Sequence, residues 1–218
     1  MNRVIKHLRS PQRSIQSCLS VLEDWYFDNR FRLDTRSEVS ISDLDIPHTD
    51  KIHADKYKPT RTRYFRKLMQ QLAPEKQGVF VDVGCGKGRI LLLAALYGFN
   101  KIRGIEISNN LSRIAEQNIE AFQQSYCTDC EMKVICTNVL AYEFQHDESL
   151  FFLYSPFDLY VTENFLSRVR SSLSNAPRKL CLVINEFRFP ELLQDDSVFR
   201  LSMIVRYGAA FFRVYTNY

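Results

Sequence analysis

An acidic residue followed by three glycines at alternate positions is the part of this 218-residue sequence best suited to chemistry. Asp82, Gly84, Gly86 and Gly88 fall in the stretch VFVDVGCGKGR, residues 79–89. Glycine has no Cβ, so main-chain N–H groups can approach a ligand closely. A helix that begins just after such a loop adds the positive end of its dipole, which favours a carboxylate or a phosphate. The loop therefore predicts a cofactor site built on bare backbone.

Three classes of cofactor use loops of this kind, and the neighbouring residues discriminate between them. A phosphate-binding P-loop needs Ser or Thr after its lysine, but Gly88 follows Lys87 here. A dinucleotide loop needs a third glycine where Arg89 stands, because a long side chain there obstructs helix–strand packing. Glu106, at the end of the next apolar segment, suits the ribose hydroxyls of any adenosine ligand. A nicotinamide enzyme therefore stays open as an alternative.

Alternating strand and helix patterns place this loop at the end of a strand. Short apolar segments rich in β-branched residues predict five strands, at residues 78–84, 101–108, 132–139, 149–157 and 179–187. Helical patterns separate them, and residues 199–218 predict a closing hairpin about Tyr207 and Gly208. We expect a doubly wound α/β fold with a mostly parallel seven-stranded sheet and a C-terminal antiparallel hairpin. Ligands of such sheets bind at the carboxyl ends of the strands, where the glycine loop falls.

The chain before this core predicts a helical and irregular N-terminal extension, residues 1–60, ahead of a domain at residues 61–218. Apolar residues recur in it at helical spacing and predict the buried face of a helix. They are Ile15, Leu19, Leu22, Trp25 and Tyr26. We expect the extension to cap the cofactor site.

Bulk composition predicts an ordinary globular protein, with 45% hydrophobic residues, 25% charged residues and a net charge of +4. No apolar run reaches the length of a membrane span, so no membrane partner is expected. No secretory signal is evident, which favours a cytoplasmic location, although the basic first 22 residues also resemble a targeting segment in composition. The pair Cys127 and Cys130 lacks a second pair at zinc-finger spacing, so free thiols and no metal site are expected.

Four segments in order give the sequence a family resemblance. Residues 82–88 resemble the motif D-x-G-x-G-x-G of class I S-adenosylmethionine-dependent methyltransferases, and GIEIS, which contains Glu106, resembles the second motif of that family. CTNVLAYEF (residues 136–144) and FFLYSPF (residues 151–157) resemble the third and fourth. The resemblance covers about residues 57–218 and is strongest to uncharacterised bacterial-type members. It implies an enzyme that uses S-adenosylmethionine.

The resemblance also implies which residues bind the cofactor. They are Asp82, Gly84, Cys85, Gly86, Gly88, Glu106, Ile107, Asn138 and Val139. Asp82 is expected near the methionine amino group and Glu106 on the two ribose hydroxyls, with Val139 packed on the adenine face. Asn138 stands where the family usually has an acid that accepts a hydrogen bond from the adenine amino group. An amide can accept there with its carbonyl and donate to the neighbouring ring nitrogen.

Residues in the fourth motif and in the extension bear on the methyl acceptor. Ser155, Pro156 and Phe157 resemble the [D/N/S]-P-P-[Y/F] motif of amino-group methyltransferases, one proline short. Tyr57, in YKPT, resembles the Y-x-P segment of some protein-lysine methyltransferases, including the Dot1-like group. These four are the candidate catalytic residues, and His53 is expected at the surface.

We expect in-line methyl transfer to a nitrogen of a protein side chain or of a small metabolite. A nucleic-acid acceptor stays open because basic residues cluster just before the core. They are Arg61, Arg63, Arg66 and Lys67. A non-catalytic binding or scaffold protein on a degenerate methyltransferase fold is the alternative from another class, which Asn138 and the incomplete fourth motif suggest.

Overall fold

A computed structural model describes residues 11–126, 129–154 and 157–218, with side chains from residue 16 onward. The six α-helices in this part of the chain are α1 (Pro11–Phe31), α2 (His48–Lys51), α3 (Thr62–Leu72), α4 (Arg89–Tyr97), α5 (Asn109–Ser125) and α6 (Leu159–Asn175). The strands are β1 (Val79–Val83), β2 (Lys101–Glu106), β3 (Glu131–Cys136), β4 (Glu148–Leu153), β5 (Cys181–Asn185), β6 (Arg200–Tyr207) and β7 (Ala210–Thr216).

The strands form one seven-stranded sheet in the order β3-β2-β1-β4-β5-β7-β6. Strands β1 to β5 are mutually parallel, while β7 runs antiparallel to both β5 and β6. The predicted doubly wound α/β fold with its C-terminal hairpin is confirmed. The strand order reverses between β1 and β4, and a crevice at the carboxyl ends of these two strands is where such sheets bind ligands.

Both faces of the sheet are covered, which explains why its central strands are apolar throughout. Phe80 of β1 and Phe152 of β4 join one buried cluster with residues of α1, α3, α4 and α5. Val81 of β1 and Phe151 of β4 join the other, which is packed under α6. All five residues of β1 are buried, so the end of this strand is held firmly beneath the glycine loop.

Helix α1 forms where the sequence predicts a helix, but the predicted buried face is wrong. Leu22 is 61% exposed and Trp25 is 52% exposed, and Leu19 and Tyr26 also lie at the surface. The side chain of Ile15 lies outside the described residues. The face turned to the core instead carries Phe27, Phe31 and the two acids Asp24 and Asp28. The buried guanidinium of Arg89 pairs with both acids.

The segment from residue 38 to residue 60, here called the cap segment, crosses the carboxyl edge of the sheet. It folds back on itself through an antiparallel bridge between Val39 and Tyr57. A second bridge joins Ala54 to Phe157, just beyond β4. Two short helical pieces, Ile41–Asp43 and α2, lie within it. A domain boundary at residue 60 stays a prediction.

Candidate active site

A cavity of ≈ 670 Å³ lies between the cap segment and the carboxyl ends of the strands. Most of the predicted site residues line it. They are Tyr57, Asp82, Gly84, Cys85, Glu106, Ile107, Asn138, Val139 and Phe157. Gly86 and Gly88 belong to the loop but are not among the lining residues, while Ser155 and Pro156 lie outside the described residues. The roles of all these residues in binding and catalysis stay predictions.

The glycine loop turns sharply out of β1 and is held by its neighbour strand. The N–H groups of Gly84 and Cys85 both donate to the carbonyl of Ile105, at 2.8 and 3.0 Å. Gly86 has a φ of 54°, a left-handed conformation that side chains disfavour. A Cβ at Gly86 would overlap the ring of Tyr57, so this aromatic ring packs directly on the bare backbone.

Tyr57 is therefore fixed at the glycine loop by both of its ends. Its hydroxyl donates to the carbonyl of Thr35 at 2.9 Å. Burial raises the pKa of the Tyr57 phenol, which keeps the hydroxyl protonated as a donor. The phenol is consequently engaged with the extension, and the ring is the part of Tyr57 presented to the loop.

Glu106 is buried at the end of β2 and is oriented by three backbone donors. Its Oε2 accepts from the N–H of Gly86 at 2.8 Å, and its Oε1 accepts from the N–H groups of Ile107 and Ser108, each at 3.0 Å. Burial raises the pKa of this carboxyl, although the three backbone hydrogen bonds oppose that rise. A carboxylate has about four acceptor positions. Three are filled, so one remains for a ribose hydroxyl rather than the two that the sequence predicts.

Asp82 is a buried carboxylate that lacks a partner. It is 4% exposed, and burial and the charge of Glu106 are the influences on its carboxyl, with no hydrogen bond from a described residue among them. Burial, with the nearby charge of Glu106 as a smaller cause, raises the pKa of Asp82 well above its usual value. A buried acid next to another acid is unfavourable unless a cation pairs with it. The position therefore suits an ammonium group inside the cavity.

The Asn138 amide already makes hydrogen bonds within the protein through both of its polar atoms. Its Oδ1 accepts from the N–H of Leu140 at 2.9 Å and so begins the short helix Val139–Ala141. Its Nδ2 donates to Oδ1 of Asp50, in the cap segment, at 3.2 Å. The helix cap uses one of the two acceptor positions of the amide carbonyl, and the contact of Asn138 with adenine stays a prediction.

The other end of the cavity, at the carboxyl ends of β4 and β5, is aromatic and carries charges of both signs, because Lys58 and Arg188 line it as well as Glu186. Tyr154, Phe157 and Tyr160 line it together with Glu186. The hydroxyl of Tyr154 donates to Oε1 of Glu186 at 3.1 Å, and Nζ of Lys58 lies 5.4 Å from the ring centre of Tyr154. Glu186 has a φ of 51°, which is unusual for a residue other than glycine and is often found at functional sites.

His53, which the sequence places at the surface, is 32% exposed and is paired with an acid. Its Nδ1 is 2.6 Å from Oδ2 of Asp158, and its ring lies 5.4 Å from the ring of Tyr160. Asp158 also begins α6 by accepting from the N–H of Val161. Sequence reasoning missed this pair because its members are far apart in the chain. A capping Asp before α6 was the one local signal.

Long-range ionic contacts attach the extension to the glycine loop and its helix. Arg89 is 2% exposed, and its Nη1 lies 3.1 Å from Oδ1 of Asp24. Its Nη2 lies 3.5 Å from Asp28, and its Nε donates to Oγ1 of Thr35 at 2.7 Å. Lys87, also buried, contacts both carboxylate oxygens of Asp34 at 3.0 Å. The loop and the extension therefore form one packed unit.

The basic cluster before the core is largely paired with acids of α1. Arg61 contacts Asp24 at 2.8 Å, while Arg63 and Arg66 both contact Glu23. These pairs reduce the positive potential that a nucleic-acid surface would need.

The donors and acceptors of the cavity fit S-adenosylmethionine. Asp82 offers an unpartnered carboxylate to the methionine amino group, and the start of α4 suits the methionine carboxylate. Glu106 keeps one acceptor position for ribose, and Val139 is an apolar surface for adenine. The cavity volume also lies in the range of cofactor sites. Among the described residues, no cluster of His, Cys, Asp and Glu could hold a metal ion, and no helix is long and apolar enough to cross a membrane.

Comparison with known proteins finds related sequences. Residues 48–173, more than half of the chain, match the profile of the family described as "Histone methylation protein DOT1". A protein-lysine N-methyltransferase from Saccharolobus islandicus (strain REY15A) is 32% identical over 76 residues, which make up 34% of this chain and 44% of that protein. The match thus spans less than half the length of that relative.

Solved structures with the same fold are described as methyltransferases that act on different acceptors. An RNA methyltransferase from Salinibacter ruber in complex with S-adenosyl-L-homocysteine has a TM-score of 0.55 at 18% identity, covering 73% of this chain and 93% of that one. A ribosomal protein L11 methylase from Lactobacillus delbrueckii subsp. bulgaricus has a TM-score of 0.54 at 17% identity, covering 74% and 80%.

Magnesium protoporphyrin IX methyltransferase from Synechocystis PCC 6803, with bound S-adenosylmethionine, has a TM-score of 0.54 at 14% identity, covering 72% of this chain and 79% of that one. At these identities the likeness shows the fold alone. An RNA, a protein and a porphyrin methyltransferase share it, so the fold does not choose the acceptor.

Proposed function

This chain belongs to the DOT1 family of histone methylation proteins, and on that premise we propose that it methylates a lysine side-chain nitrogen of a protein. It is a class I S-adenosylmethionine-dependent methyltransferase, as the four sequence motifs predict. S-adenosylmethionine, when bound, supplies a methyl group on a sulfonium, which is an electrophile for in-line transfer. The chain must place a nucleophile in line with it and keep water away.

The observation that carries this proposal is the aromatic end of the cavity, where the carboxylate of Glu186 also lies. Tyr154, Phe157 and Tyr160 offer apolar surface for the methylene groups of a lysine side chain. Glu186 offers a carboxylate for the ammonium group. A long alkyl chain that ends in a cation matches apolar walls beside a carboxylate.

The surrounding residues support attack by an amine at this place. A neutral amine is the nucleophile, so the ammonium must lose a proton before transfer. Glu186 is exposed as well as lining the cavity, which gives that proton a path to solvent. Burial raises the pKa of Tyr154, so its phenol stays protonated and keeps the Glu186 carboxylate in position.

Protein is favoured over nucleic acid as the acceptor for two reasons. Three of the four basic residues that suggested nucleic acid are paired with acids of α1. The curated relative is described as a protein-lysine N-methyltransferase, and the region of the family match includes the aromatic end of the cavity.

Transfer from S-adenosylmethionine with a radiolabelled methyl group into a cell lysate tests this proposal. Protease and nuclease digestion, followed by size separation, sorts the product into protein, nucleic acid or small molecule. We expect the label in the protease-sensitive fraction, and none above background with a Glu106→Ala variant. The lysine assignment would be overturned if nuclease released the label, or if the label were already on a small molecule before digestion.

A further inference from the structure

Asp50 and Asn138 together present one acceptor and one donor to the cavity. Asp50 lies in α2 of the cap segment and Asn138 just after β3, and both side chains line the cavity beside Val139. Nδ2 of Asn138 donates one hydrogen to Oδ1 of Asp50. An amide nitrogen carries two hydrogens, so the second is free to donate.

Most of the remaining acceptor capacity of this pair lies on Asp50. Oδ1 of Asn138 uses one of its two acceptor positions for the N–H of Leu140. On Asp50, by contrast, Asn138 is the only described side chain that hydrogen-bonds the carboxylate, and it contacts Oδ1. Oδ2 of Asp50 therefore keeps its full acceptor capacity in a partly buried position beside the cavity.

We propose that Asp50, positioned by Asn138, recognises the amino edge of the cofactor's adenine ring. That edge offers an exocyclic amino group, which donates, next to a ring nitrogen, which accepts. The Asp50 carboxylate accepts from the amino group, and the second hydrogen of Asn138 Nδ2 is donated to the ring nitrogen. The acid that the third motif lacks at Asn138 is thus supplied by the cap segment.

This assignment makes the extension part of the cofactor site. Asp45 of the cap segment accepts hydrogen bonds from the hydroxyl of Ser108 and the N–H of Asn110, which anchors the stretch before α2 at the end of β2. The His53–Asp158 contact anchors the stretch after α2 at the start of α6. Asp50 therefore lies between two anchored stretches of the chain. A rigid position of this kind suits a residue that must form specific hydrogen bonds with the edge of a ligand.

Binding of two cofactor-product analogues to the full-length chain tests the proposal without any methyl acceptor. S-adenosylhomocysteine carries the amino group, and S-inosylhomocysteine has an oxo group and a protonated ring nitrogen instead. Titration calorimetry should show that the unmodified protein prefers the adenosyl compound by about tenfold or more, because the inosyl compound leaves polar groups mismatched. Asp50→Asn should lose most of that preference.

Exchange of the two residues is the sharper variant. In Asp50→Asn/Asn138→Asp the carboxylate moves to the strand end, where it can still cap the helix after it, so the adenosyl preference should return. Asp43→Asn, in the same segment but not lining the cavity, is the matched control and should keep the full preference.

Two results would overturn the assignment. One is an Asp50→Asn protein that keeps the unmodified preference, which would mean that Asp50 does not contact the amino edge. The other is equal weakening of both analogues, which would mean that Asp50 only holds the cap segment closed. Neither result bears on the lysine acceptor, because no acceptor is present. Thermal unfolding of each ligand-free variant checks that it is folded.

Discussion

Arg89, at the start of the helix that follows the glycine loop, places its Nη1 3.1 Å from Oδ1 of Asp24 in α1, and both side chains are 2% exposed or less. Neither guanidinium Nη atom makes a well-aligned hydrogen bond with any described residue, so the contact is chiefly ionic. The residue that argues against a dinucleotide loop thus attaches the N-terminal extension to the cofactor site.

Arg89→Met should destabilise the protein by about 3 kcal/mol, because removing one member of a buried ion pair leaves the other uncompensated. Urea unfolding measures the change. Arg61→Met, which removes the more exposed partner of Asp24, should cost less. The double variant Arg89→Met/Asp24→Asn should be less destabilised than the sum of its single changes. Strict additivity would contradict a direct Arg89–Asp24 interaction.

Asp82→Asn should stabilise the cofactor-free protein at neutral pH while it weakens cofactor binding. Burial raises the pKa of Asp82 in the folded state. An acid with a raised folded-state pKa disfavours folding once pH exceeds its unfolded pKa, near 4. The gain should therefore be negligible at pH 4 and grow as pH rises, to the order of 1 kcal/mol.

Unfolding experiments across this pH range, with calorimetry of S-adenosylmethionine binding at neutral pH, measure both effects. Asp195→Asn, an exposed change, is the control and should alter neither quantity. A gain in stability that is independent of pH would show that the charge of Asp82 is not its cause.

Gly86→Ala should cost about 1 kcal/mol or more in unfolding free energy, because Gly86 has a positive φ and its Cβ would meet Tyr57. Gly98→Ala, at the positive φ that ends α4, is the control for backbone strain, because a Cβ there would meet only the flexible side chain of Lys76. Only Gly86→Ala should weaken cofactor binding. In a double variant, Tyr57→Ala should partly relieve the loss of unfolding free energy that Gly86→Ala causes. If it does not, the contact between the Tyr57 ring and the loop is not what excludes a side chain at residue 86.

Glu186→Gln should raise the KM for a lysine-bearing acceptor about tenfold and leave S-adenosylmethionine affinity unchanged, because the carboxylate is proposed to pair with the acceptor ammonium. Initial rates over a range of acceptor concentrations give KM and kcat separately. Glu191→Gln, an exposed acid outside the cavity, is the control. A matching loss of cofactor affinity would place Glu186 in the donor site instead.

The sheet, the glycine loop and the hairpin could be predicted because each has a local signal. Buried parallel strands are continuously apolar, and a left-handed turn requires glycine, so neighbouring residues in the sequence carry the information. The predicted cofactor residues follow these strand ends. Asp82 and Glu106 line the same cavity because they lie at the carboxyl ends of β1 and β2, which are neighbouring parallel strands.

The parts that escaped prediction depend on pairs far apart in the chain. The buried face of α1 carries Asp24 and Asp28, which hydrophobic periodicity excludes, and their distant partner Arg89 is the buried cation that both acids share. Asp50 and His53 lie in an irregular segment whose sequence has no hydrophobic periodicity from which their positions could be predicted. Their places at the cavity depend on contacts with Asn138 and Asp158, more than eighty residues later.

The atom that receives the transferred methyl group decides whether this chain is a lysine methyltransferase. Labelled protein from the lysate reaction can be digested to peptides, and tandem mass spectrometry with a deuterated methyl donor then identifies the modified atom. We expect deuterated methyl groups on lysine ε-nitrogens, and we expect them to be lost when Glu106→Ala replaces the unmodified enzyme. Deuterated methyl groups on another side chain, or on nucleotides alone, would contradict the lysine assignment.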